Sequence, residues 1–344
     1  MFTIRRRAAG RDRDRRVELQ TFRVFDTMRA DLQRVDERVG DAAALHYPIA
    51  SQVVGEIVRA GGKRLRPLVL LLAGRAYDYD RDALVTAAAG VELLHTASLV
   101  HDDMVDRAAL RRGKPTLNSV LSSGAVILIG DYLFAQSAVL AAATQNPRVV
   151  AVFAATLADI CDGELREIFD AHRLDQTREE YERRIFGKTA SLFAGAAEMG
   201  AIIARAPEAH TEELRAFGRD IGLAFQIMDD VLDLRAGTGQ LGKPAGQDLR
   251  QGTVTLPTML YAAQLPPDSA ELALLRAVVA GDASDEASLD AVIAGIRVSG
   301  ALDDAVAIAT SHLERAKARL AIVPDRETRA LLGEVADFAL TRAS

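Results

Sequence analysis

The 344-residue sequence has a single cysteine, Cys161, and no tryptophan. A lone thiol excludes an internal disulfide framework and is typical of a reducing compartment, so we expect a cytoplasmic protein. Uninterrupted apolar runs such as Leu68–Ala73 are far shorter than the roughly 18 residues that span a bilayer, and no signal-peptide pattern opens the chain. The formal net charge of −6 gives no indication of a nucleic-acid partner. Any membrane contact is therefore expected to be peripheral.

Seven arginines crowd the first sixteen residues, where apolar neighbours are few. They are Arg5, Arg6, Arg7, Arg11, Arg13, Arg15 and Arg16. This composition is typical of a solvated arm, and we predict that residues 1–16 form a mobile one. Attraction to anionic lipid headgroups is the alternative interpretation of the same charges.

Strand-type patterns are scarce in the rest of the chain. From about Val17 onward, apolar residues recur at helical spacing, whereas alternating Val, Ile and Thr runs are few. The ten prolines leave long segments for helices, for example between Pro147 and Pro207. No internal repeat and no low-complexity linker interrupts this pattern. We therefore predict a single all-helical domain over residues 17–344.

The apolar segment Val91–Asp106 ends in three aspartates, Asp102, Asp103 and Asp106. In a helix, Asp102 and Asp106 share one face, and Asp103 lies about 100° round at its edge. Like charges at this spacing destabilise a helix unless a cation bridges their oxygens. Carboxylate ligands favour Mg²⁺, which commonly binds one or two carboxylates together with substrate phosphates.

The same D-D-x-x-D spacing recurs at Asp229, Asp230 and Asp233, again within an apolar helical pattern. A solvated acidic helix end is the alternative explanation for either cluster alone. Two identical spacings in hydrophobic sequence favour a shared metal–polyphosphate site instead.

Basic residues suited to phosphate accompany both acidic clusters. They are Lys63, Arg64 and Arg66 after a glycine pair, Arg111 and Arg112 after the first cluster, and Lys188 and Lys243, each after a glycine. Guanidinium groups grip phosphate with two hydrogen bonds, and glycine permits close backbone approach. Residues 237–244 also fit a G-x-G-x-x-G pattern and nearly fit a P-loop. However, no strand pattern precedes them, and Pro244 occupies the Ser/Thr position of a P-loop, so we reject both interpretations.

In combination, these motifs resemble those of the trans-isoprenyl diphosphate synthase (polyprenyl synthetase) family. The matching segments run over residues 61–257 and read GGKRLRP, HTASLVHDDMVD, LRRGKPT, GKTASLF, FQIMDDVLDL and GKPAGQDLRQGTVTLP. The resemblance implies a helical bundle in which two aspartate helices face each other across a central cavity. It also implies several Mg²⁺ ions per site, usually a homodimer, and head-to-tail joining of isopentenyl diphosphate to an allylic diphosphate.

The resemblance further implies a role for each matching residue. The main metal ligands would be Asp102, Asp106 and Asp229, assisted through water or as alternates by Asp103, Asp230 and Asp233. The allylic diphosphate would contact Arg111, Lys188 and Lys243, and isopentenyl diphosphate would contact Lys63, Arg66, His95 and Arg112. Thr189 and Gln226 would line the reacting carbons. Thr253 stands where the family often has lysine, which would remove one contact to the allylic diphosphate.

The resemblance also implies that bulky side chains one turn before the first cluster limit product length. Ala97 and Ser98 occupy these positions, so we predict an open tunnel and a product longer than geranylgeranyl diphosphate. A geranylgeranyl or farnesyl product is the alternative, since small residues on a buried helix also serve close helix packing.

Two other functions share some of these features. A class I terpene cyclase has the same fold and first acidic motif, but cyclases tend to line the pocket with aromatic residues, which are 5% of this chain. A non-catalytic partner subunit of a two-chain synthase generally loses aspartates. All six aspartates of the two clusters are present here.

Overall fold

The structure is a computed structural model, and it describes residues 9–59, 62–111, 114–235 and 245–341. The first helices are α1 (Ala9–Ala42), α2 (Pro48–Arg59), α3 (Leu65–Arg75) and α4 (Arg81–Val105). After α4, two-residue strands β1 (Leu110–Arg111) and β2 (Lys114–Pro115) form an antiparallel hairpin. A 3₁₀ turn (Leu117–Ser119) then leads to α5 (Ser123–Ala143) and α6 (Pro147–Asp170).

The second half of the chain is also helical. It contains α7 (Arg178–Ile185), a π-helical turn (Phe186–Ala190), α8 (Ser191–Ile203) and α9 (Glu208–Arg235). It ends with α10 (Gln247–Arg250), α11 (Leu256–Gln264), α12 (Ala270–Ala280), α13 (Glu286–Val298), α14 (Ala301–Arg319), a 3₁₀ turn (Leu320–Ile322) and α15 (Arg326–Thr341). The prediction of an all-helical fold is confirmed for the described residues, in which β1 and β2 are the only strands.

The predicted N-terminal arm overlaps the first helix. Because α1 begins at Ala9, residues 9–16 are helical in the structure. Residues 1–8 lie outside the described part of the chain. The division into an arm and a single domain stays a prediction.

The centre of the bundle consists of α4, α8 and α9. Helix α8 packs against both α4 and α9, while α5 covers α4 and α14 covers α9. Asp80 caps the start of α4 by accepting a hydrogen bond from Ala83 N, and the helix is buried along most of its length. Both acidic clusters lie in the last two turns of these central helices, at Asp102–Asp106 and Asp229–Asp233. The fold thus places each cluster at the carboxyl end of a buried helix.

Helices α4 and α5 are long and apolar enough, by length and composition, to cross a membrane. The sequence analysis missed them because it counted uninterrupted apolar runs, and polar residues interrupt both helices. The most apolar window of α4 is 78% buried, and that of α5 is 39% buried because one face packs on α4 and the other is exposed. Core helices of soluble proteins have the same composition, so this pair is weak support for a membrane span.

Candidate active site

The aspartates of the first acidic cluster differ in their surroundings. Asp103 is buried, and its Oδ1 accepts a hydrogen bond from Arg111 Nε at 2.7 Å. Its backbone carbonyl accepts from Asn118 Nδ2 at 2.5 Å, which ties the segment after the β-hairpin to the end of α4. Asp102 is half-buried and Asp106 is exposed at the C-cap of α4. Asp103 is therefore a structural anchor for Arg111, whereas Asp102 and Asp106 share the neighbouring helix face.

Burial makes ionisation of this cluster costly. It raises the pKa of Asp102 to about 6, although the nearby charges of Lys188 and Arg111 oppose the shift. Partial desolvation by the surrounding protein also raises the pKa of Asp106 above its ordinary value, although this side chain keeps contact with solvent. The carboxyl end of a helix carries a partial negative charge, which adds to the repulsion. A cation between Asp102 and Asp106 would remove this cost.

The aspartates of the second acidic cluster also differ in their surroundings. Asp230 is 3% exposed, and its two oxygens accept hydrogen bonds from the Tyr181 hydroxyl at 2.6 Å and Gln226 Nε2 at 2.9 Å. Asp233 accepts from the backbone nitrogens of Gln247 and Asp248 at 3.1 and 3.2 Å, so it holds the start of α10. Asp229 is half-buried. Asp230 and Asp233 thus have structural partners that the sequence did not reveal.

Lys188 lies in the π-helical turn, close to the first cluster. Its Nζ is 3.2 Å from Oε2 of Glu164 and 2.6 Å from Oε1 of Glu167, both on α6. A pair of glycines allows this approach, because a Cβ at Gly163 would collide with the backbone nitrogen of Lys188, and one at Gly187 with backbone atoms of α6. Single π-helical turns within helices are frequent at functional sites.

The charges of Lys188 and Glu167 act on the first acidic cluster and on Asp248, a neighbour of the second. In the first cluster, Glu167 raises the pKa of Asp102 and Asp106, and Lys188 lowers it. Burial raises the pKa of Asp248 well above its ordinary value; Asp233, Asp230 and Glu167 add to this shift, and Lys188 opposes it. Asp248 therefore connects the second cluster to the ion pair that acts on the first, as expected for the two sides of one site.

Three acidic residues of this site were missed by the sequence analysis. They are Glu164 and Glu167 on α6 and Asp248 on α10. The pKa of Glu164 is raised to about 7, and burial is the largest cause of this shift. The available signal was an acidic pair three residues apart after Gly163. Asp248 had no comparable pattern, because its importance comes from contact with Asp233.

The donor chemistry fits a hard divalent cation that is shared with a ligand. In the described ranges, no three His, Cys, Asp or Glu side chains converge to hold a metal ion by themselves. Asp102 and Asp106 offer carboxylate oxygens on one helix face. Mg²⁺ commonly takes only one or two carboxylates and completes its octahedron with water and phosphate oxygens. The site therefore fits Mg²⁺ together with a diphosphate.

Arg66 and His95, two residues predicted to bind isopentenyl diphosphate, lie together in the structure. Arg66 Nη1 is 3.2 Å from His95 Nε2. A guanidinium only donates, so Nε2 is the acceptor in this contact. The Arg66 guanidinium also lies over the Phe193 ring, 4.6 Å from its centroid, and Lys63 Nζ lies 4.0 Å from the centroid of Phe338. Aromatic faces thus hold two of the cations predicted to bind isopentenyl diphosphate.

Arg64, between these two cations, faces inward. Its backbone is left-handed, with φ 50°, and its guanidinium contacts Glu92 of α4, the carbonyl of Val58 and, at 2.7 Å, Asp36 of α1. It therefore joins α1, α2 and α4 instead of facing a ligand.

The remaining predicted contacts are placed as follows. The Thr189 hydroxyl donates to Oε1 of Gln226 at 2.6 Å, so the structure joins these two residues directly. Thr253 is buried, and its backbone nitrogen donates to the carbonyl of Asp248. Arg112 and Lys243 lie outside the described residues.

Ala97 and Ser98 point to different sides of α4. Ala97 is fully buried on the stripe that includes His101, whose ring rests on Phe134 of α5 with centroids 5.0 Å apart. Ser98 is half-buried and shares a face with Asp102, four residues later. The small size of Ala97 therefore serves helix packing, whereas Ser98 lies on the side of the predicted metal ligands.

Comparisons with known proteins agree with this arrangement. Residues 47–296 match the polyprenyl synthetase family. The chain is 41% identical to heptaprenyl diphosphate synthase component 2 of Geobacillus stearothermophilus, over 91% of this chain and 96% of that protein. It is 38% identical to the geranyl-diphosphate-specific all-trans-nonaprenyl-diphosphate synthase of Rhodobacter capsulatus, over 91% and 95%.

Solved structures show the same fold. A polyprenyl synthase from Caulobacter crescentus CB15, complexed with calcium and isoprenyl diphosphate, superposes with a TM-score of 0.89 at 36% identity, covering 94% of this chain and 98% of that one. The chain belongs to the polyprenyl synthetase family, and it is a trans-prenyltransferase that makes polyprenyl diphosphates. The resemblance inferred from the motifs is thereby confirmed.

Proposed function

We propose that this enzyme joins isopentenyl diphosphate head to tail to an allylic diphosphate and releases diphosphate, giving a product longer than geranylgeranyl diphosphate. The observation that carries this proposal is the pair of acidic clusters at the ends of α4 and α9. The first is within reach of the Lys188–Glu167 ion pair, and the second is connected to that pair through Asp248. The long-chain names of the two relatives above support the product length.

The charge of the site explains why its substrate arrives with metal. Nine acidic side chains lie in or beside the two clusters: Asp102, Asp103, Asp106, Glu164, Glu167, Asp229, Asp230, Asp233 and Asp248. Lys188 and Arg111 are the cations that the structure places among them. A diphosphate alone would be repelled, so we propose that Asp102, Asp106 and Asp229 hold Mg²⁺ on the diphosphate oxygens. When bound, Mg²⁺ supplies positive charge that stabilises the departing diphosphate.

The protein groups then position the two substrates. Lys188 and Arg111 hold the allylic diphosphate, whose bond to the allylic carbon breaks. Arg66 and His95 hold isopentenyl diphosphate so that its double bond attacks that carbon, which is a gain in proximity and orientation. The side chains of Thr189 and Gln226 line the carbons on which positive charge develops. A proton then passes to the released diphosphate, and exclusion of water protects the cation.

We also propose that the active form is a homodimer. Helices α5 and α6 pack together, and both expose large apolar side chains: Ile127, Leu128 and Val139 on α5, and Leu165 and Phe169 on α6. Leu128 is 69% exposed and Phe169 75%, which is unfavourable unless a partner covers them. A second copy presents the same surface and completes a two-fold contact. Leu128→Glu should convert the dimer to a monomer in light scattering, whereas the exposed polar position Gln264→Glu should not.

A product assay tests the proposed reaction. The isolated full chain is incubated with Mg²⁺, an allylic diphosphate and labelled isopentenyl diphosphate, and products are sized by mass spectrometry. We expect labelled polyprenyl diphosphates beyond the geranylgeranyl length. Hydrocarbon from the allylic diphosphate alone would indicate a terpene cyclase. Inactivity of the isolated chain would indicate that a second component is required. One relative is itself named component 2 of a heptaprenyl diphosphate synthase.

A further inference from the structure

A chain of hydrogen bonds runs from α7 through α9 to the π-helical turn. The Tyr181 hydroxyl donates to Oδ2 of Asp230 at 2.6 Å. Gln226 Nε2 donates to Oδ1 of the same carboxylate at 2.9 Å, and Gln226 Oε1 accepts from the Thr189 hydroxyl at 2.6 Å. The chain therefore ends beside Lys188, at a residue predicted to face the reacting carbons.

The first member of this chain is locked in place. Tyr181 is 0% exposed, and the buried guanidinium of Arg184 lies over its ring, 5.5 Å from the centroid. Arg184 in turn donates to Gln176 Oε1 at 2.8 Å and to the carbonyl of Val254 at 2.5 Å. The Tyr181 hydroxyl thus has a fixed position, and its hydrogen bond holds the Asp230 carboxylate in place.

The chemistry of the donors fixes the direction of every bond. The Gln226 amide nitrogen only donates, and it faces Oδ1 of Asp230, so that carboxylate oxygen accepts. The amide oxygen then faces Thr189 and accepts a hydrogen bond from its hydroxyl. As a result, Thr189 presents oxygen lone pairs, and no proton, to any other neighbour. Lone pairs are what a positively charged carbon requires.

We propose that Tyr181 is a positioning residue: acting through Asp230, it fixes the Gln226 amide so that Thr189 presents its lone pairs to the developing cation. Asp230 is in this account the anchor of the chain and not a metal ligand, because both of its oxygens accept from protein donors. The inference rests on the proposed function for the identity of the cation.

Tyr181→Phe removes only the first donor of the chain. We expect kcat to fall about tenfold while KM for both diphosphates stays within about twofold, because the lost interaction acts only when positive charge develops. The matched control is Tyr79→Phe, which removes a similar bond, from the Tyr79 hydroxyl to Oδ2 of Asp31 at 2.8 Å, between α1 and the start of α4. This control should keep the wild-type kcat.

A double-mutant cycle with Gln226→Leu separates positioning from a general structural role. If Tyr181 acts through Gln226, the double variant loses no more kcat than Gln226→Leu alone. Multiplied losses, or a kcat for Tyr181→Phe equal to that of the Tyr79→Phe control, would overturn the proposal. A wild-type enzyme that makes hydrocarbon from the allylic diphosphate alone would instead refute the proposed function, so the two failures are distinguishable.

A second measurement does not depend on turnover. Stabilisation by Mg²⁺ and inorganic diphosphate is followed by thermal unfolding. The Mg²⁺ concentration for half-maximal stabilisation should be unchanged in Tyr181→Phe and in Asp230→Asn, and raised in Asp229→Asn. Asp230→Asn keeps the side-chain shape and an acceptor for Gln226, so it applies even if Tyr181→Phe does not fold. A raised Mg²⁺ requirement in Asp230→Asn would show that Asp230 binds metal and would overturn the proposal.

Discussion

The ammonium of Lys188 lies 2.6 Å from the Glu167 carboxylate, in the π-helical turn between α7 and α8. A diphosphate that binds Lys188 must therefore compete with Glu167 and with Glu164, 3.2 Å away. Cations brought with the substrate lower this cost, because they neutralise the carboxylates. Lys188 is thus held in position before the substrate arrives.

The two basic groups should affect different substrates. Arg66→Ala should chiefly raise KM for isopentenyl diphosphate, because Arg66 and His95 form one cluster. Lys188→Ala should chiefly impair the allylic substrate, because Lys188 lies beside Asp102 and Glu167. Steady-state kinetics with each substrate varied in turn measures both. Equal damage to the same substrate by both variants would contradict separate binding positions.

Glu164→Gln should stabilise the metal-free enzyme at alkaline pH. Burial raises the pKa of Glu164 from 4.5 to about 7, with Asp102 and Glu167 adding to the shift and Lys188 opposing it. The folded state therefore binds more protons than the unfolded state between these values, and stability falls as pH rises through that window. The variant should have a higher Tm than wild type at pH about 8, and little difference at pH about 4.5.

Glu179→Gln is the matched control for this experiment. Glu179 is exposed on α7, so its replacement should leave Tm within error at both pH values. A lower Tm for Glu164→Gln at alkaline pH would show that Glu164 contributes more through Lys188 than it costs through burial.

The two positions before the first acidic cluster should respond differently to an aromatic side chain. Ser98→Phe should shorten the product to farnesyl or geranylgeranyl size, because Ser98 shares a face with Asp102. Ala97→Tyr should shorten the product only at a cost of several kcal/mol in stability, because Ala97 is fully buried against α5. Mass spectrometry and thermal unfolding distinguish the two outcomes. An unchanged product length in both variants would contradict an open tunnel at this face.

The sequence predicted the helices and the two acidic clusters because both depend on local spacing. Asp102 and Asp106 share a face through helix geometry alone, whatever surrounds them. Arg64 could not be distinguished from Lys63 and Arg66, because its inward direction depends on Glu92 in another helix. The structural role of Asp230 likewise depends on Tyr181, which is 49 positions away in the chain. Long-range contacts of this kind leave no spacing signal.

The most direct test of the account is the turnover of Asp102→Ala and Asp229→Ala. The account predicts that each variant loses more than about tenfold in the rate of labelled isopentenyl diphosphate incorporation, at least ~1.4 kcal/mol of transition-state stabilisation, with helical circular dichroism unchanged. One aspartate comes from α4 and the other from α9. If both helices contribute to a single metal–diphosphate site, both aspartates are required. A variant that folds and keeps more than about a tenth of the wild-type rate would contradict that shared site.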